Sequence, residues 1–286
     1  MKQLFFVLSM MSAGALQAQP AGITQAIVHT TTLITAPDES QDVSNIQMQG
    51  EGGGRMMFRS FGDGEFKSVT YLKNDLVKTV IKSEMGRTTI IRDNAAKKTT
   101  TLLEIMGNKT GFVATDEEAK QMRQRMDSMM NATRNAADSG RANRQSAGSS
   151  SVEIAYTEDS KKIAGYPCKK ALLIRTGLLG LKDTTEVWYS PDLKLNHVVN
   201  TGGTGAIGNM FQGAGRDALS SLDKLNGFPM SYQSKLPRNR TMTVEVTKID
   251  LKKEVEEKEF EIPKGFEIKP VNEMRNMMQM RVGRAM

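Results

Sequence analysis

Apolar and polar residues alternate with a period of two along most of this chain, which is the pattern of half-buried β-strands. Between residues 76 and 85, Val77, Ile81 and Met85 share one face, while Lys78, Lys82 and Glu84 share the other. Residues 241–251 set Met242, Val244 and Val246 against Thr243, Glu245 and Thr247. Residues 228–236 place Phe228, Met230 and Tyr232 on one face. Further strands are predicted over 23–34, 66–72, 88–92, 98–105, 152–156, 166–175 and 184–189. Asp93-Asn94-Ala95-Ala96 reads as a hairpin turn between two of them.

The period changes at Thr115. Thr115-Asp116-Glu117-Glu118 has the form of a capping box, in which the threonine hydroxyl and the glutamate satisfy each other's backbone amides. Met122, Met126, Met129 and Thr133 then recur at helical spacing, which predicts an amphipathic helix over 116–135. Residues 36–54, 136–151 and 201–217 are rich in glycine and small polar residues and read as loops or linkers. Many short strands and one good helix predict a mainly β (α+β) fold. Without βαβ alternation, a parallel sheet is not expected.

The first residues predict an address. Met1-Lys2, the apolar run Leu4 to Leu8, and small residues at Ala13, Gly14, Ala15 and Ala18 have the order of a secretory signal peptide over 1–18. That run is too short to span a membrane, and no later segment is long and apolar enough. The expected location is the periplasm of a Gram-negative envelope. Of 286 residues, 39 are basic and 32 acidic, for a net charge of +7. Removing Lys2 leaves +6. The charges are spread out, without the clustered stripe and stacking aromatics that nucleic acid requires. Cys168 is the only cysteine, so an intramolecular disulfide is excluded, and it reads as a small buried hydrophobe.

Three segments carry a resemblance: Lys161-Lys162-Ile163-Ala164-Gly165-Tyr166-Pro167-Cys168-Lys169-Lys170-Ala171, Glu186-Val187-Trp188-Tyr189-Ser190-Pro191-Asp192-Leu193, and Asn226-Gly227-Phe228-Pro229-Met230. Their order resembles the exported Bacteroidota proteins of the GLPGLI type and their secreted relatives. Gly227-Phe228-Pro229-Met230 stands where Gly-Leu-Pro-Gly-Leu-Ile would be, which favours the relatives. The closing Phe260 to Phe266 also fits. The resemblance implies a fold like the periplasmic lipoprotein carriers: a curved, incomplete antiparallel β-barrel with one or two covering helices and a concave apolar pocket. On that basis residues 19–270 form a single half-barrel domain, followed by a Met/Arg-rich tail at 271–286.

No catalytic constellation stands out. His29 and His197 are the only histidines, and neither a Gly-X-Ser-X-Gly elbow nor a His-Glu-X-X-His helix occurs. Gly203-Thr204-Gly205-Ala206-Ile207-Gly208 matches a dinucleotide fingerprint in letters, but lacks the parallel-sheet setting and reads as a loop. Glu256, Glu257, Glu259 and Glu261 lie in a charged stretch that reads as solvated. Two methionine clusters, Met122/Met126/Met129/Met130 and Met274/Met277/Met278/Met280, offer soft thioethers suited to Cu(I), or an apolar stripe. The reading reached is a non-catalytic periplasmic binding protein with no cofactor and no metal. It would hold a lipid, an acyl chain or a lipidated partner on Trp188, Tyr189, Phe228, Met230, Tyr232, Met242, Val244 and Val246. Trp188 and Tyr189 point to opposite faces, so that one fills the cavity and the other packs outside. A copper-handling protein and an envelope protein-interaction module are the alternatives.

Overall fold

The computed structural model describes residues 23–35, 64–84, 86–122, 124–125, 128, 151–176, 182–195, 221–236, 239–271 and 273. The predicted signal segment, the 36–54 loop, nearly all of the 136–151 linker, the 201–217 loop and most of the tail lie outside these residues. Twelve strands form one sheet: β1 (Gln25–Thr35), β2 (Gly64–Lys73), β3 (Leu76–Ser83), β4 (Gly86–Asp93), β5 (Lys98–Ile105), β6 (Asn108–Thr115), β7 (Ser151–Ile163), β8 (Tyr166–Thr176), β9 (Lys182–Ser190), β10 (Phe228–Leu236), β11 (Arg240–Asp250) and β12 (Glu267–Pro270). Their order is β12-β6-β5-β4-β3-β2-β1-β11-β10-β9-β8-β7.

The strands make two antiparallel meanders, β1 to β6 and β7 to β11, joined where β1 pairs with β11. The sheet stays open, with β7 and β12 as its edges, and a curved incomplete barrel is compatible with that arrangement. One departure from the expected antiparallel plan is β12, which pairs parallel to β6. A second is β6 itself, a strand that the alternation did not reveal.

Strand alternation gives the sheet two buried faces. The major face carries Val28, Leu72, Val77, Ile81, Met242 and Val244 among others in one continuous cluster. The smaller cluster lies on the minor face, where Ile27, Ile91 and Leu102 meet Val255 and Phe260 from the segment after β11. Lys78 ties that segment down: its Nζ donates to the Glu259 carbonyl, lies 3.5 Å from the Glu259 carboxylate and sits 5.8 Å from the centre of the Tyr71 ring.

A helix opens directly after β6, at residue 116, and residues 116–122, 124, 125 and 128 are helical. The predicted capping box is formed. The Glu118 amide donates to Thr115 Oγ1 at 3.3 Å, and the Thr115 amide donates to Glu118 Oε2 at 2.8 Å. Arg92 on β4 holds the same turn with two bonds to the Asp116 carboxylate, and also donates to Asn94 Oδ1 and Thr99 Oγ1. Asp116 therefore serves the helix twice, as an acid near the positive end of its dipole and as the anchor to the sheet.

The hydrogen bonds from Thr115 hold the Glu118 carboxyl below the ordinary glutamate value of 4.5. Because the folded value is the lower one, the cap's contribution is complete above 4.5 and is lost as pH falls through the folded value. Carboxyl-carbon NMR is expected to titrate Glu118 with a midpoint below 4.5, returning towards it in Thr115→Val. An unchanged midpoint in that variant would remove the Thr115 hydroxyl as a cause and leave the backbone amide, which valine retains.

Candidate functional site

The major face is organised in rows that run across the strands. One row reads Phe66, Thr32, Val244, Tyr232, Val187 and Ala171, each directly opposite the next on β2, β1, β11, β10, β9 and β8. The next row joins Ile34, Met242 and Ser234. On the other side, Val246 is opposite Thr30, Thr30 is opposite Ser68, and Ser68 is opposite Ile81. Met230 and Met242 are 0% exposed, Val244 and Val246 1% and Tyr232 3%.

Seven of the eight residues singled out from the sequence belong to this buried cluster: Tyr189, Phe228, Met230, Tyr232, Met242, Val244 and Val246. Trp188 packs against this cluster without being one of its buried members, and by alternation it projects opposite Val187 and Tyr189. It is only half-buried, and carries Lys161 Nζ 4.3 Å above its ring centre. The expected division between Trp188 and Tyr189 is thus realised with Tyr189 inside, where its ring meets Tyr156 edge-on at 5.5 Å.

The expectation that Phe228, Met230 and Tyr232 follow one simple alternation needs correction. A bulge lies between Pro229 and Ser231, so the ladder pairs Phe228 with Ser190 and Tyr232 with Val187. An extra residue shifts the parity of a strand on its two sides. Phe228 is buried, but it does not continue the face of Tyr232 by alternation. The Asn226-Gly227-Phe228 turn before it has a steric reason. A Cβ on Gly227 would lie 2.3 Å from the Ser190 carbonyl oxygen and 2.8 Å from Pro191 Cα, and its φ is +153°. The first resemblance segment holds a glycine set by backbone conformation alone, with open space where a Cβ would stand: the two-residue turn Ala164-Gly165 between β7 and β8 has φ of +49° and +85°.

Sequence reasoning missed the hydroxyls of the major face. Thr30, Thr32, Ser68, Thr70 and Thr79 are buried on it, and the polar residues buried among those described are all threonines and serines. Thr70 Oγ1 and Thr79 Oγ1 bond to each other at 3.0 Å, and Ser68 Oγ donates to the Thr30 carbonyl at 3.5 Å. Thr32 Oγ1, Tyr232 OH and Ser190 Oγ are buried without a protein hydrogen-bond partner. Leaving such a group unpaired costs about 1–3 kcal/mol. Burial alone pushes the Tyr232 hydroxyl far above the ordinary tyrosine range, so it stays a neutral phenol.

The other chemical candidates sit elsewhere. His29 is on the opposite side of β1 from Val28; burial and then Lys248 hold its imidazole below the usual histidine value. Cys168 is buried on β8, its thiol donating to the Tyr166 carbonyl at 3.4 Å; burial raises its pKa and keeps it protonated. Of the first methionine cluster only Met122, half-buried on the helix, is described. Met85, Met126, Met129, Met130, His197 and the second methionine cluster lie outside the described residues. Among the described residues, no group of His, Cys, Asp and Glu is arranged to hold a metal, and no helix is long and apolar enough to cross a membrane.

Comparison with known proteins adds a family. The model of DUF4412, a domain of unknown function, matches residues 54–266, which include all three resemblance segments. No curated protein matches the chain. Two crystal forms of PNGF-II are similar at 13% identity over 90% of this chain, with TM-scores of 0.39 and 0.36. The chain spans only about a third of PNGF-II, 33% and 34% in the two forms. A putative outer membrane lipoprotein-sorting protein domain from Vibrio parahaemolyticus is similar at 8% identity, over 84% of this chain and 90% of that one, with a TM-score of 0.19. At such scores none of the three carries an argument about fold or activity.

Two substitutions test this geometry. Gly227→Ala is expected to lower stability by about 1–3 kcal/mol, read as a lower urea midpoint at unchanged slope; an unchanged midpoint would mean that the Ser190 carbonyl yields freely. Tyr232→Phe is expected to raise the melting temperature, at about 2–4 °C per kcal/mol regained for a domain of this size. A lower melting temperature would show that the hydroxyl is already satisfied.

Proposed function

The chain belongs to the DUF4412 family, and from its major face we propose that it is an exported, non-catalytic binding module for a hydrophobic ligand, a lipid or acyl chain or the lipid of a modified partner. The observation that carries this reading is the breadth of that face: a buried, mostly apolar row six strands wide, in a sheet left open at both edges. Part of the buried cluster comes from outside the strands, with Leu193 and Leu195 after β9, and Leu222 and Leu225 before β10. Side-chain packing, unlike a strand ladder, can be exchanged for a ligand chain at little net cost, because each apolar Å² returned to cover contributes the same ~25 cal/mol.

Catalysis has little to work with on this face. Its hydroxyls belong to Thr, Ser and Tyr, and among the described residues no histidine, carboxylate or cation is buried beside them to act as a base. A nucleophilic hydroxyl needs such a partner. The copper reading rests on methionines outside the described residues, Met122 excepted.

Native mass spectrometry of the protein, purified gently from its own envelope, tests the proposal. The expected result is an adduct of lipid mass that disappears on denaturation. A bare polypeptide mass would remove the carrier reading and favour a protein partner, to be sought by crosslinking in the envelope.

A further inference from the structure

Two of the unpartnered hydroxyls share one row. Thr32 on β1 and Tyr232 on β10 are each directly opposite Val244 on β11, so all three side chains project from the same face. Two strand spacings, about 10 Å, separate the outer backbones. Both residues are buried, at 0% and 3% exposure, and neither hydroxyl has a protein partner. Neighbouring hydroxyls on this face do find partners, as Thr70 with Thr79 and Ser68 with the Thr30 carbonyl. Unpaired polar groups are therefore concentrated at one place on an apolar surface.

We propose that Thr32 and Tyr232 recognise an uncharged polar group, an alcohol or an ester carbonyl, on an otherwise apolar ligand seated along the Phe66 to Ala171 row. This rests on the reading of the major face as a binding surface. Each hydroxyl can donate one hydrogen bond and accept others, so an ester carbonyl takes a bond from both, and an alcohol takes one and gives one. Charge decides against the alternatives. No residue of the row is ionisable except Tyr232 itself, and no Lys, Arg or His is buried among the described residues. The half-buried guanidinium of Arg240 belongs to a residue four positions from Val244 along β11, about 13 Å away by backbone, too far to pair with a group seated against Val244. A carboxylate or phosphate placed against Val244 would be desolvated with no counter-charge, which is far more costly than burying a neutral group.

Competition against a neutral fluorescent probe, N-phenylnaphthylamine, on the delipidated full chain tests this. The competitors share one chain length: hexadecanol, methyl hexadecanoate, hexadecanoic acid and hexadecane, at about pH 8, where the acid is ionised. The alcohol and the ester are expected to displace the probe at roughly tenfold lower concentration than the acid. Tyr232→Phe and Thr32→Val are each expected to weaken the alcohol and the ester about three- to tenfold, the loss of one hydrogen bond, and to leave hexadecane unchanged. An acid that competes as well as the ester overturns the proposal, as do variants that bind alcohol and ester like the parent. Should either variant fail to fold, the parent's ester-to-acid ratio still decides. If no competitor displaces the probe, hexadecane included, the binding reading itself fails.

Discussion

The ladder between β1 and β11 holds this structure together. Among the described residues it is the only pairing that joins the first meander to the second, and it brings together residues more than 200 positions apart, such as Thr247 and His29, whose carbonyl accepts from the Thr247 hydroxyl. Closing so long a connection costs entropy that local hairpins avoid, so the register must be well specified once formed. A bulge between His29 and Thr30 helps pin it, because Thr247 has no opposite number on β1. A slip of one residue would turn Met242, Val244 and Val246 to the other face. The same register places Thr32 beside Val244, so the chemistry proposed for the major face depends on this ladder too.

The segment after β11 completes the first meander from behind. It leaves the centre of the sheet, lays Val255 and Phe260 against Ile27, Ile91 and Leu102, and ends as β12 on the far edge at β6. Lys78 holds it part-way, and Lys109 lies over the Phe266 ring. The first meander is thus buried on both sides, whereas Glu153, Glu158 and Lys161 on the β7 edge face solvent. Charges on a long edge strand discourage pairing with another chain, so the two edges are protected by different means.

What the sequence made legible follows from which physical signals are local. Strands β5 and β10 fall on their expected boundaries, because alternation and turn residues act over a few positions. The capping box was legible for the same reason, since all its partners lie within four residues. Strand β6 was not, because Gly111 reads as a breaker. Its lack of a side chain is instead a fit to distant atoms: a Cβ there would lie 2.3 Å from Ile268 Cδ1 and 2.8 Å from Leu102 Cδ2. Strand β12 has four residues, too few for a period, and its partner lies far back in the chain. In the candidate site, alternation located Met242, Val244 and Val246, but it is blind to bulges, and so it put Phe228 on one face with Tyr232. It also read only apolar letters as inward. Threonine suits a strand on either face, which is why Thr32 became significant only when the register set it beside Val244.

The parallel strand β12 has a consequence for how the chain comes into being. Synthesis proceeds from the N-terminus, so the first meander exists before Arg240–Asp250 and Glu267–Pro270 do. During that interval both of its outer strands, β1 and β6, present bare backbone donors and acceptors, the templates on which sheets of separate molecules assemble. Both are covered by the last-made strands, one on each side. These late strands therefore act as a paired safeguard against intermolecular sheet growth, and a polypeptide cut short before them would keep a nearly complete meander with neither flank closed.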